Sequence, residues 1–191
     1  MRTLANQAKF LIAIVAILWG IEVVDLLIRA FSTNSLDRLG IRPRRLEGLL
    51  GIPCAPFLHG GFKHLAGNTV PLLVLSSMAL VAGSMSHYLR AVGIIILCGG
   101  LGTWLFGQSN SLHVGASGVV FGLAGYVFTR GVVTRKPLTI ALSIAVAMFY
   151  GGLAASLLRF TVGISWTGHA FGLVAGVLAA TTCSKITAKM S

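Results

Sequence analysis

Six long apolar runs, each separated from the next by polar or charged residues, leave this chain few ways to fold. They fall at about residues 10–28, 64–84, 88–107, 114–131, 138–158 and 166–183. Each approaches the roughly 20 residues that a helix needs to cross a bilayer. The breaks are a long loop from Ala30 to Lys63, then Ser86-His87, Gln108 to Ser111, Thr134 to Lys136, and Arg159. In hydrocarbon the backbone has no water to bond, so such runs satisfy their own N–H and C=O groups as helices. Composition points the same way: 55% of the 191 residues are hydrophobic, only 10% are charged, and the mean hydropathy is +0.89. A water-soluble domain of this length needs far more charged surface. The expected fold is an all-α membrane bundle of six helices with a long first loop. With no internal repeat or low-complexity linker, residues 1–191 are expected to form one domain.

The net charge of +11 does not indicate a nucleic-acid face. The basic residues sit between apolar runs, where anionic lipid headgroups are the natural partners. Arg2, Lys9, Arg90, Arg130, Arg135, Lys136, Lys185 and Lys189 would share the inner face if the N-terminus is inside, as the positive-inside rule favours for short loops. The basic long loop, with Gly40-Ile-Arg-Pro-Arg-Arg45, runs against that rule, and its apolar stretch Leu49 to Leu58 suits short interfacial helices. Arg2 and Lys9 precede the first run as in a signal peptide, but no small-residue cleavage site follows, so a retained first helix is expected. Cys54, Cys98 and Cys183 lack metal or CxxC spacing.

The second, fourth and sixth runs enter the membrane from one face. Each carries polar residues near that entry. The second opens with His64 and Asn68, four apart and therefore on one side of a helix. The fourth carries Ser117 a few residues in, and the sixth carries His169 three residues after Trp166. At 1.5 Å per residue these groups lie roughly 5–10 Å below one surface. Polar side chains inside a membrane are costly and face a cavity or one another. Taken alone, Gly115-x-Ser117-Gly118 reads as a packing notch, and Gly172-x3-Gly176 as a close-packing motif. His169 shares the face of Gly172 and Gly176, however, and a matching groove is offered by Gly115, Gly118, Gly122 and Gly125. Packing the sixth run on the fourth would bring His169 to Ser117.

That juxtaposition suits nucleophilic catalysis. A serine hydroxyl needs a base to take its proton, and neutral imidazole is suited to the task. Donors for the oxyanion are the Ser117 N–H near a helix start, His64 and the Asn68 amide. The carboxylates Glu22, Asp25, Asp37 and Glu47 all lie outside the second, fourth and sixth runs, so the chemistry predicted is a Ser–His dyad.

Three motifs resemble the rhomboid family of intramembrane serine proteases: "HGGFKHLAGN" (His59-x4-His64-x3-Asn68), "GASG" (Gly115–Gly118) and "HAFGLVAG" (His169-x2-Gly172-x3-Gly176). Their order fits a six-helix core and the resemblance covers nearly the whole chain. It implies Ser117 as nucleophile, His169 as general base and then acid, and oxyanion stabilisation by Asn68, His64 and the Ser117 N–H. His59 would organise structure, water or the loop. The resemblance further implies substrates that are transmembrane segments of other proteins, cut near the membrane surface at helix-destabilising small residues. No metal or nucleotide takes part, and a bacterial-type cell membrane is the expected location. Two positions depart from the family pattern: Phe121 stands where well-known bacterial members have a tyrosine that stacks on the histidine, and "GIRPRR" stands where a Trp-Arg pair is often found.

Two other readings stay open on sequence alone. One is an inactive relative that binds transmembrane segments, which the retained serine, histidine and oxyanion donors disfavour. The other is a small transporter relaying protons or binding metal or haem through His59, His64 and His169, which would need acidic partners or discontinuous helices, and the carboxylates are in the wrong places for that. A zinc protease would need HExxH, and an aspartyl protease a pair of membrane aspartates.

Overall fold

The computed structural model describes residues 2–156 and 165–190, with side chains described over 4–152 and 165–182. Six helices stand where the sequence predicts six spans: α1 (Arg2–Phe31), α2 (Phe62–Val81), α3 (Met85–Phe106), α4 (Ser117–Thr134), α5 (Pro137–Ser156) and α6 (Trp166–Met190). Segments of four of them, Leu4–Phe31, Phe62–Val81, Met85–Phe106 and Ser117–Thr134, are long and apolar enough to cross a membrane. Within the residues whose side chains are described, the apolar stretch of α5 covers Pro137–Gly152. The predicted end of the fifth run at 158 and the break at Arg159 lie outside the described residues. The chain is thus an all-α, multi-pass membrane protein.

Burial ranks the helices. In α4, 61% of the spanning window is buried inside the protein, against 22% in α1. The glycine-rich α4 is thus the central helix, and α1 lies more at the periphery. Val119, Val120, Leu123, Tyr126 and Val127 of α4 pack against Leu65, Leu72 and Leu75 of α2, Tyr88 and Ile95 of α3, and Ala175 and Ala179 of α6. Lipid tails are as apolar as these side chains, so close van der Waals fit drives the association more than the hydrophobic effect.

The α4–α6 seam shows that fit in its tightest form. A Cβ on Gly172 would run into the Gly118 carbonyl, and one on Gly176 into the Gly122 carbonyl. In the other direction, a Cβ on Gly125 would lie 2.6 Å from the Leu173 oxygen. Backbone therefore meets backbone, as the sequence pattern predicts for Gly118, Gly122, Gly125, Gly172 and Gly176. Gly115 is the exception: it lies before the helix and packs against α2.

Several boundaries differ from the sequence reading, each for a local reason. The fourth run begins as a helix at Ser117 and not at 114, because Gly115 at φ +116° interrupts the chain. Ser117 is therefore the first helical residue, not one a few residues inside. The break between α2 and α3 falls before Met85, where Ser84 caps α3 by accepting the His87 N–H; Ser86 and His87 belong to the first turn. Midway along, α3 passes through a π-helical stretch, Ile95–Gly99. The first span runs well beyond 10–28, and α6 continues past 183 to Met190.

The long loop is built from short helical turns: Leu36–Leu39, Leu46–Leu49, Gly51–Cys54 and Ala55–Phe57. Ile52, Ala55 and Leu58 are buried, so the apolar stretch is held against the bundle. The "GIRPRR" segment is fastened to the end of α3: Arg44 donates to the Leu105 carbonyl at 2.8 Å and the Gly107 carbonyl at 2.9 Å, and the Trp104 indole donates to the Arg45 carbonyl at 2.8 Å. At the other end of the bundle, buried Arg130 of α4 donates to the Ala82 carbonyl at 3.2 Å.

Candidate active site

The segment leading into α4 is fixed residue by residue. His113 pairs with Ile41 of the long loop in both directions, N–H to carbonyl at 3.0 Å each way. The Gly115 N–H donates to the Ala55 carbonyl at 2.9 Å, and the Ala116 N–H to His59 Nε2 at 3.3 Å. Val120 makes the first backbone bond of the helix, to Ala116. The Ser117 N–H thus opens the helix as one of the amides that have no intrahelical acceptor.

Gly115 explains why α2 can come so close. Its φ of +116° is a conformation that side-chain-bearing residues rarely adopt. A Cβ there would lie 2.7 Å from His64 Cε1 and 2.8 Å from His64 Nε2, with Asn68 Nδ2 at 3.7 Å. His64 and Asn68 therefore sit directly against the turn two residues before Ser117. Asn68 is buried, and its Nδ2 has no hydrogen-bond partner among the described residues. An amide donor in that state is an energetic liability unless something else accepts from it.

His59 lies behind this pair, 1% exposed and edge-on to His64 with ring centroids 5.2 Å apart. Because Nε2 accepts from Ala116, the proton of the neutral ring is on Nδ1, which is buried without a well-formed partner. Burial, and then the adjacent His64, push the His59 pKa down to about 4, outweighing a weak backbone interaction with Phe57. The loop segment carrying His59 is held in turn by Arg29 of α1, which reaches the His59 carbonyl at 3.4 Å.

His169 occupies the first turn of α6, with its N–H bonded to the Ser165 carbonyl at 3.1 Å. Its ring stacks on Phe121, centroids 4.2 Å apart and planes 11° from parallel. Phe121 follows Ser117 by one helical turn on the same side of α4. The imidazole is thereby held beside the face of α4 that bears Ser117, by an aromatic ring where a carboxylate often performs the orienting. Among the described residues, Ser117 and His169 are not hydrogen-bonded to each other.

The serine–histidine pair joined by a hydrogen bond across the two helix starts is another one. His113 Nδ1 lies 2.6 Å from Ser165 Oγ, and His113 Nε2 lies 2.7 Å from Ser111 Oγ. Ser165 also caps α6 by accepting the Gly168 N–H at 3.2 Å. Ser117, Gly118, His113, Ser165 and Gly168 share the lining of one small cavity of about 50 Å³. Among the described residues, no three His, Cys, Asp or Glu side chains group to hold a metal ion.

Residues 47–186 match the Rhomboid domain family. The chain belongs to the rhomboid family. It is 41% identical over 178 residues to an uncharacterized protein of Mycobacterium tuberculosis (strain ATCC 25618 / H37Rv), covering 89% of this chain and 72% of that relative. An uncharacterized protein of Mycobacterium leprae (strain TN) is 34% identical over 178 residues, 89% of this chain and 68% of the relative. The putative rhomboid protease YdcA of Bacillus subtilis (strain 168) is 30% identical over 134 residues, 66% of this chain and 63% of that protein.

In this rhomboid chain the sequence-predicted residues fall into two groups around Ser117. His59, His64, Asn68 and Gly115 cluster on the α2 side, while Phe121, His169, Gly118 and Gly172 gather on the α6 side. Gly176 lies further down the seam. The hydrogen-bonded pairing of His113 with Ser165 is not evident from the sequence. Their only signal was spacing: His113 stands four residues before Ser117, and Ser165 four before His169.

Proposed function

We propose that this rhomboid is an intramembrane serine protease that hydrolyses peptide bonds in or near transmembrane segments of other membrane proteins. Ser117 Oγ attacks the scissile carbonyl carbon while His169 accepts its proton. The oxyanion is held by the Ser117 N–H, Asn68 Nδ2 and His64. His169 then gives its proton to the leaving amine, and a water activated by the same imidazole hydrolyses the acyl-enzyme. In this reading the N-terminus is inside a cell membrane, so the starts of α2, α4 and α6 open to the outer face.

One observation carries the proposal: the start of α4 has an oriented imidazole on one side and a buried amide donor without a partner on the other. A nucleophile between a base and an unused donor is the arrangement acyl transfer requires. The printed name of the Bacillus relative, a putative rhomboid protease, agrees with it. The test is cleavage of a fluorescent transmembrane substrate by reconstituted protein. Wild type cleaves, whereas Ser117→Ala and His169→Ala each lose roughly a thousandfold or more. Equal cleavage by all three would refute the proposal.

The 2.6 Å His113–Ser165 contact supports a second reading, in which Ser165 is the nucleophile and His113 its base. Ser165 Oγ already serves as the cap of α6, and attack would remove it from that bond. Ser165→Ala separates the two readings: it abolishes activity only if Ser165 attacks.

A further inference from the structure

His113 and Ser165 stand one step outside the proposed dyad in a symmetric way. His113 precedes Ser117 by four residues, and Ser165 precedes His169 by four. The outer pair thus joins the same two segments as the inner pair, with histidine and serine exchanged between them. We propose that His113–Ser165 is a clasp that sets the register of α6 against α4, and so the position of His169 relative to Ser117. The proposal rests on Ser117 and His169 being the dyad.

The hydrogen bonds around the clasp close without a charge. Ser111 Oγ donates to the Gln108 carbonyl, so it must accept from His113 Nε2–H at 2.7 Å. His113 Nδ1 then has a lone pair, which accepts the Ser165 hydroxyl proton at 2.6 Å. Ser165 Oγ keeps its own lone pairs for the Gly168 N–H at 3.2 Å. Each donor meets an acceptor only when the imidazole is neutral. Burial of His113 favours the same state by pushing its pKa below the ordinary histidine value.

Both ends of the clasp are anchored. His113 is tied by its backbone to Ile41 through two hydrogen bonds, so its ring is fixed to the long loop as well as to α4. Ser165 holds both the Gly168 and His169 amides, so moving Ser165 moves the first turn of α6. Below this point the seam is close glycine-to-carbonyl packing, which is non-directional. The bond at the mouth adds a directional contact between the two helix starts. Displacement of a reacting group by about 1 Å can cost on the order of a hundredfold in rate, so a clasp of this kind acts on turnover more than on substrate affinity.

The experiment measures kcat, KM and the rate of fluorophosphonate labelling of Ser117 in reconstituted protein. The variants are Ser165→Ala, Ser165→Gly, Ser165→Thr, His113→Ala and the double His113→Ala/Ser165→Ala. Glycine is included because helices accept it as a cap, so folding survives while the hydroxyl is lost. The clasp predicts that kcat and labelling fall about five- to tenfold in the Ala and Gly variants, with KM within about twofold. Ser165→Thr recovers most of the rate, and the double variant is no worse than the poorer single. Wild-type kcat in Ser165→Gly and His113→Ala, or losses that multiply in the double, overturn the clasp. Loss of all labelling in Ser165→Ala also overturns it, by making Ser165 the nucleophile. Failure of the underlying dyad reading is separately visible as undiminished cleavage by Ser117→Ala.

Discussion

Two polar regions of this protein lie close together and are built on opposite principles. At the end of α1, Arg29 gathers three of the four carboxylates of the chain: Asp25 in direct contact, Asp37 at 3.5 Å and Glu22 at 3.6 Å. Asp25 also accepts the Leu36 N–H and the Ser35 hydroxyl, which closes the long loop onto α1. Against the start of α4, Asn68 Nδ2 is buried with no partner among the described residues, and the buried His59 Nδ1 lacks a well-formed one. Satisfied polar groups in an apolar interior hold structure in place. Unsatisfied ones cost free energy on the order of 1–3 kcal/mol each, and a fold tolerates them where a substrate will complete them. The first region is a fastening; the second has unused hydrogen-bonding capacity.

The contrast is sharpest in what each region should lose. Asn68→Ala removes the proposed oxyanion donor and is expected to lower kcat about a hundredfold or more, with KM little changed. Thermal unfolding in detergent should hold steady or improve, because a buried donor without a partner is gone. A fall in stability with unchanged kcat would place Asn68 among the fastenings. Asp25→Ala should show the reverse: a loss of about 1–3 kcal/mol in stability, from the Leu36 N–H and Ser35 hydroxyl left without their acceptor, with kcat per folded molecule retained. Loss of kcat without loss of stability would erase the distinction.

Acid gives a gentler probe of the same boundary. His59 titrates near 4 in the fold and near 6.5 when unfolded, so the unfolded chain binds the extra proton between those values. Its contribution to stability is fully present above pH 6.5 and is lost as pH falls toward 4, by about 3 kcal/mol. A His59→Gln variant should therefore lose less stability than wild type between pH 7 and 4. Parallel curves for the two proteins would show that the ring is not held neutral.

Much of this was legible in the sequence because periodicity and small-residue spacing are local properties. Gly118, Gly122, Gly172 and Gly176 announce a close helix crossing, and that crossing is observed. The three motifs led to the family by the same route. What escaped depended on chain segments meeting far from one another in sequence. Gly115 reads as one more groove residue, yet its positive φ takes it out of the helix and against His64. His113 and Ser165 are 52 residues apart, and no periodicity couples them. The pair Ser86-His87 was visible as polar residues, but only the geometry of Ser84 decides where the cap falls. The long loop hides its short turns because their stability comes from packing Ile52 and Ala55 on the bundle, not from local propensity.

The central claim is that Ser117 is the group that attacks. The most direct measurement is mass-spectrometric mapping of the residue labelled by a serine-directed fluorophosphonate in the reconstituted protein, beside Ser117→Ala and His169→Ala. The account predicts one labelled site, Ser117, with labelling absent in Ser117→Ala and strongly slowed in His169→Ala. Label on Ser165, or labelling that persists unchanged in Ser117→Ala, would contradict it.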